Sequence, residues 1–167
     1  IYGDITMMEH SVKVTGVAYD RNVAKITLRG VQDQPGIAAN LFEPLASLGI
    51  SVDTIVQNAS IDGFTDLSFT VIGSQLDDVV SQIESLKGDV GHVEIVTDKN
   101  LAKISIVGAG MLDAPGYASR MFRALADASI NIEMITTSEI RITCIISEDT
   151  VSTAVKVLHE AFGLETP

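Results

Sequence analysis

Val23-Ala-Lys-Ile-Thr-Leu-Arg-Gly-Val31, followed by Asp33-Gln-Pro-Gly36, is matched later in the chain by Leu101-Ala-Lys-Ile-Ser-Ile-Val-Gly-Ala109, followed by Asp113-Ala-Pro-Gly116. Each stretch runs on into a helix-like segment, Leu41-Phe-Glu-Pro-Leu-Ala46 in one case and Met121-Phe-Arg-Ala-Leu-Ala126 in the other. Each closes on an apolar strand, Ile50-Ser-Val-Asp-Thr-Ile55 against Ile130-Asn-Ile-Glu-Met-Ile135. Pro35 and Pro115 are 80 positions apart, and Phe42/Phe122 and Ile50/Ile130 keep that offset. A period this long describes two tandem copies of a small domain rather than a solenoid unit.

Working outward from the repeat, alternation and β-branching predict strands over 12–19 and 23–31, separated by a turn at Asp20-Arg-Asn22. Asp33 is placed to cap the next helix, with Pro35 in its first turn. Ile37, Leu41, Leu45 and Leu48 share one helical face, and Gly49 stops the helix. Strands at 50–57 and 65–72 flank a turn at Ile61-Asp-Gly-Phe64; a helix at 77–86 and a strand at 90–97 complete the first copy. Strand, helix, strand, strand, helix, strand is the split βαβ, ferredoxin-like order, an α+β fold.

The second copy repeats the order with a strand at 102–107, a helix at 115–128, strands at 130–136 and 140–146, and a helix at 151–162. It lacks a sixth strand of its own, and the strand at 12–19 is unassigned at the other end. An unfilled sheet edge leaves a row of unpaired backbone groups. The expectation is therefore two tandem ferredoxin-like βαββαβ domains, the second completed by the N-terminal strand. The first is inserted at 23–98, the second is 11–19 plus 101–163, and 1–10 is a loose N-terminal segment. Pro44 replaces the second copy's Ala124 inside the first helix, and a bend near Asn40 is expected.

Composition limits the function. A net charge of −11 argues against nucleic acid or an anionic membrane as partner, since phosphate binding needs a basic face. Only 5% of residues are aromatic, which leaves little for stacking bases. No apolar run approaches the ~20 residues of a membrane span. The single Cys144 sits in Ile142-Thr-Cys-Ile-Ile146 and reads as a buried, inert thiol; one cysteine and no signal peptide point to the cytoplasm. There is no phosphate loop and no Cys/His cluster at metal spacing. His10, His92 and His159 lie in different elements and read as surface residues. Gly108 and Gly110 resemble half of a dinucleotide fingerprint and read instead as turn formers. No catalytic residue or metal ligand is assigned.

The twice-used Pro-Gly turn has two readings. It can present backbone N–H groups at a helix N-terminus to a carboxylate, with a nearby side chain taking an ammonium, which together describe an α-amino acid. It can equally be only a cap and a turn.

The strand-Asp-x-Pro-Gly-helix pattern resembles the ACT domain, an amino-acid-sensing module. Val14-Thr-Gly-Val-Ala18, Val56-Gln-Asn58, Ser105-Ile-Val-Gly-Ala-Gly-Met111, Asn131-Ile-Glu-Met-Ile135, Thr137-Ser-Glu-Ile-Arg-Ile142 and Leu158-His-Glu-Ala-Phe162 resemble the regulatory region of the aspartate kinase family. The resemblance covers nearly all of the chain after about residue 9, and Thr-Ser-Glu-Ile-Arg-Ile is its most specific stretch. It implies feedback inhibition, by threonine and/or lysine, of the ATP-dependent phosphorylation of aspartate on the route to lysine, threonine and methionine. Any MgATP would bind a kinase domain not contained here. The implied partners are a second copy of the chain, in a homodimer through the ACT domains, and a catalytic (α) subunit or domain. Met7 or Met8 would suit an internal start of a separate β subunit; a cut piece of a longer chain is the other reading.

The same resemblance implies the sites. Asp33, Gln34, Pro35, Gly36, Ile37 and Ala38 would hold the effector's amino and carboxylate groups, with Gln57 and Asn58 beside them. Asn131 and Ile132 of a facing second repeat would complete this threonine-like pocket. A lysine-like pocket would draw on Asp53 and Ser60 from the first repeat and on Gly116, Tyr117, Ala118, Ser138 and Glu139 from the second. Before the second Pro-Gly this chain has Leu112-Asp-Ala114, where many members carry a polar or basic Arg/Lys-Ser-His. A free-standing amino-acid-sensing module without a kinase partner is the rival reading.

Overall fold

A computed structural model describes residues 14–91, 93–111 and 115–164. Its strands are β1 Val14–Gln32, β2 Asp53–Gln57, β3 Phe64–Ile72, β4 Glu94–Gly108, β5 Met134–Thr137 and β6 Arg141–Ser147. Its helices are α1 Ile37–Ser47, α2 Leu76–Ser85, α3 Lys87–Val90, α4 Tyr117–Asp127 and α5 Val151–Ala161. The chain forms two compact units. One is Asn22–Leu101; the other joins the segment ending at Arg21 to the segment beginning at Ala102.

In the first unit the strands pair in the order β2-β3-β1-β4, using the later half of β1 and the early half of β4. β1 and β3 run antiparallel with Ala24 opposite Val71, Ile26 opposite Phe69 and Leu28 opposite Leu67. These alternate positions all point to one face, so their side chains are buried together. Ile37, Leu41 and Leu45 of α1 and Leu76, Val79 and Ile83 of α2 close over them. Phe69 is fully buried, with Phe42 edge-on at 5.2 Å between ring centroids.

The second unit repeats the plan: the early half of β1, then the later half of β4, β6 and β5. Ala102, Ile104 and Ile106 of β4 and Ile142, Cys144 and Ile146 of β6 meet Met121 and Leu125 of α4 and Val151, Ala154 and Leu158 of α5. The N-terminal strand thus completes the second domain, in the ferredoxin-like arrangement that the alternation pattern implies. Cys144 is fully buried with its Sγ 4.0 Å from the Met121 sulfur, and burial pushes the thiol up to about 12.

Several local expectations need correction. Asp20–Asn22 is not a turn: β1 runs straight through it, with Asn22 in the left-handed region at φ 61. β4 likewise runs through Asn100 at φ 56, so the two strands expected on either side of it are one. Asparagine tolerates this backbone better than most residues, so a polar cluster that looks like a turn can sit inside a strand. Val90 ends a helix rather than beginning a strand. β2 starts at Asp53 rather than Ile50, although Ile50 is buried in the core as expected. Leu48 lies past the end of α1 and is 57% exposed. α1 continues through Pro44 to Ser47. The expectations for residues 1–10, for His10, His92 and Met7-Met8, and for Leu112–Ala114 fall outside the described residues.

Candidate functional site

The first-repeat loop begins where β1 loses its partner strand. Val31 still faces Thr65 and Gln32 faces Phe64, and the chain then turns away into α1. The Asp33 amide donates to the Gly63 carbonyl at 2.9 Å, tying the loop to the β2–β3 hairpin. Gly36 stands at the helix N-cap with φ 91, and Gly116 holds the same place before α4 with φ 100. A side chain in that conformation is strained, which is the local reason for both Pro-Gly turns. Asp33 is therefore not the cap: that place is taken by Gly36, and among the described residues no side-chain cap bond closes the first turn of α1. Asp33 is exposed and lines a cavity instead.

That cavity has a volume of about 140 Å³. Asp33, Gln34, Gly36, Ile37 and Ala38 form one side, and Gln57, at the end of β2, faces them with Thr65 and Leu67 of β3. Six of the residues singled out by sequence thus surround one space. Pro35 belongs to the same turn without lining the cavity. Asn58 lies just beyond Gln57, its amide donating to the Asp66 carbonyl (3.0 Å) and its carbonyl accepting from the Thr65 hydroxyl (2.6 Å). The sequence reading missed Val31, Gln32, Thr65 and Leu67. Their only signal is strand register, which places Thr65 across from Val31 and Leu67 across from Gln57.

The cavity's chemistry is mixed. Helix geometry leaves the first-turn amides of α1 without intrahelical acceptors; that of Ile37 donates to the Gln34 carbonyl at 3.3 Å, and those of Ala38 and Ala39 carry the positive end of the helix dipole. Asp33 supplies a negative charge and Gln57 an amide that both donates and accepts. Carboxylate, ammonium and one small polar group can all find partners here. Among the described residues no group of His, Cys, Asp and Glu is arranged to hold a metal ion, and no helix is long and apolar enough to cross a membrane.

The remaining singled-out residues divide between the two units. In the first unit, the Asp53 carboxylate accepts from the Thr54 amide (2.9 Å), its carbonyl accepts from the Thr70 hydroxyl, and Ser60 is exposed. In the second unit, Gly116, Tyr117 and Ala118 open α4, and the Tyr117 ring lies 6.2 Å from that of Phe162. The Ser138 amide bonds the Arg141 carbonyl, and the Glu139 carbonyl accepts from the Met111 amide. Asn131 is exposed and donates to the Glu133 carboxylate at 3.2 Å, while Ile132 packs on the second core.

Two ACT-domain profiles match the chain, over residues 26–88 and 104–162. An aspartate kinase of Pseudomonas fluorescens is 46% identical over 154 residues, which is 92% of this chain and 37% of that protein. The chain thus spans little more than a third of the curated kinases it matches. The ligand-free regulatory subunit of aspartate kinase from Thermus thermophilus superposes with a TM-score of 0.82 at 40% identity, covering 89% of this chain and 98% of that one. A structure of aspartokinase α and β subunits gives 0.82 at 41% identity, covering 90% of this chain and 99% of the matched one. The nested pair of ACT units and the near-complete overlap with a regulatory subunit agree: the chain belongs to the aspartate kinase family, of which it is the allosteric regulatory part, built from two ACT domains.

Proposed function

We propose that this chain senses threonine in the cavity of its first repeat, and lysine at a second site, and so mediates feedback inhibition of aspartate phosphorylation. The observation that carries the reading is the convergence of Asp33, Gln34, Gly36, Ile37, Ala38 and Gln57 on one small space at the start of α1. The ligand's carboxylate takes the Ala38 and Ala39 amides at the start of α1, its ammonium takes Asp33, and its side-chain hydroxyl meets Gln57. The space lies below the roughly 300–1,000 Å³ of drug-sized sites, which suits a small amino acid. Asn131 and Ile132 of a second copy close the pocket, so binding favours the homodimer. Lysine is taken between two copies of the chain, by Asp53 and Ser60 of one with Gly116, Tyr117, Ala118, Ser138 and Glu139 of the other, its ammonium between the Asp53 and Glu139 carboxylates. The partner is a kinase catalytic domain or subunit, which carries the MgATP and aspartate sites. Effector binding disfavours its active arrangement through a coupling of typically 1–3 kcal/mol.

Calorimetric titration with threonine, lysine, and each in the presence of the other tests the reading. Threonine heat is expected, and Asp33→Ala or Gln57→Ala should weaken it at least tenfold. Absence of heat with both ligands, in a folded and dimeric sample, would overturn the proposal.

A further inference from the structure

The first-repeat loop is aimed by a defect in the sheet. Between Leu28↔Leu67 and Val31↔Thr65 the β1–β3 register shifts by one residue. Arg29 and Gly30 on β1 therefore stand opposite the single residue Asp66 on β3. Such a bulge bends and twists its strand and so re-aims the chain beyond it. Gly30 takes φ 77 there, and its amide, displaced from the ladder, donates to the Asp66 carboxylate at 3.2 Å. Val31, Gln32 and Asp33, the first three residues of the cavity wall, come next.

Asp66 also holds the opposite wall. Its carbonyl accepts the Asn58 amide at 3.0 Å, one residue after Gln57. β3 lies between β1 and β2 in the sheet, so one residue of the middle strand is bonded to both sides of the cavity. In the second repeat the matching glycine is Gly108, and its amide goes to the Ile140 backbone carbonyl at 2.9 Å instead. The carboxylate clamp belongs to the first repeat, the one whose loop lines the cavity.

We propose that Asp66 is a positioning residue for the effector: by fixing the Gly30 bulge and the Asn58 end of β2 together, it sets the separation of the two cavity walls. The proposal rests on the amino-acid-binding reading above. Asp66 need not touch the ligand, because its carboxylate is committed to the Gly30 amide. Asn at this position keeps a carbonyl acceptor, whereas Ala removes the acceptor and leaves the backbone bond to Asn58.

The test compares the wild-type chain, Asp66→Asn and Asp66→Ala by threonine calorimetry, thermal unfolding and amide hydrogen exchange at Gly30. Asp66→Ala is expected to weaken threonine at least tenfold and to speed Gly30 exchange at least tenfold. Asp66→Asn should stay within about threefold of wild type in both. If Asp66→Ala fails to fold, a threonine affinity of Asp66→Asn equal to wild type together with a protected Gly30 amide supports the proposal, and tenfold weaker threonine binding with Gly30 still protected overturns it. A folded Asp66→Ala with unchanged threonine affinity overturns the positioning role alone. A wild-type chain that binds no threonine overturns the threonine reading of this cavity, and the positioning role with it.

Discussion

The two repeats carry their own controls at the level of single residues. Gly49 and Ser129 follow α1 and α4, 80 positions apart, and make the same bonds. The Gly49 amide donates to Ala46 and that of Ile50 to Leu45; the Ser129 amide donates to Ala126 and that of Ile130 to Leu125. Both adopt the left-handed conformation that ends many helices, with φ 76 and φ 58. Glycine takes it freely, whereas a residue with a Cβ is strained by about 1–2 kcal/mol. Ser129→Gly should therefore stabilise the chain by about 1 kcal/mol, and Gly49→Ser should destabilise it by a similar amount. A Cβ at Gly49 would meet nothing within 4 Å, so the second effect is conformational rather than a clash. Urea midpoints of the two variants decide the matter; equal shifts in the same direction would refute it.

Among the elements, α1 and α4 invite the same comparison, because both are 11 residues long and differ at Pro44 against Ala124. Pro44 has no N–H for the Asn40 carbonyl, a defect of roughly 3 kcal/mol in a straight helix. Against that, its ring is only partly buried and lines an open cavity with Asn40, Glu43, Ser47, Leu86 and Asp89. Losing that partial burial removes less than the ~0.8 kcal/mol per fully buried methylene. The backbone effect is the larger, so Pro44→Ala should stabilise, by up to about 3 kcal/mol; a lower chemical-denaturation midpoint would contradict this account. Helix faces and the βαββαβ order were legible from sequence because Ile37, Leu41 and Leu45, or Leu67, Phe69 and Val71, repeat with the period of their element. Strand limits were not, because Asp20-Arg-Asn22 has turn composition while the ladder around it continues. The loop half of the cavity was legible as a motif, from Asp33 to Ala38. Val31, Thr65 and Leu67 were not, because a cross-strand neighbour is fixed only by register, and the bulge at Gly30 shifts that register by one.

For the molecule as a whole, duplication gives each unit its own core, and the second of these buries the chain's single thiol. Net charge already stands at −11, so alkaline conditions add self-repulsion. Cys144 adds a separate and isolable effect. Its thiol is pushed from 9.0 to about 12 by burial, so above pH 9 the unfolded chain loses this proton while the folded chain keeps it. The unfolded state then binds fewer protons, and stability falls as pH rises. The contribution is fully present below about pH 9 and is lost between about 9 and 12, at a rate on the order of 1 kcal/mol per pH unit. Cys144→Ala removes this titration while leaving the lysines and carboxylates in place. Between pH 9 and 11 the urea midpoint of the wild type should therefore fall more steeply than that of Cys144→Ala, and below pH 8 the two curves should run parallel. Parallel curves throughout would mean that the thiol ionises alike in both states, which a side chain sealed between α4 and β6 should not allow.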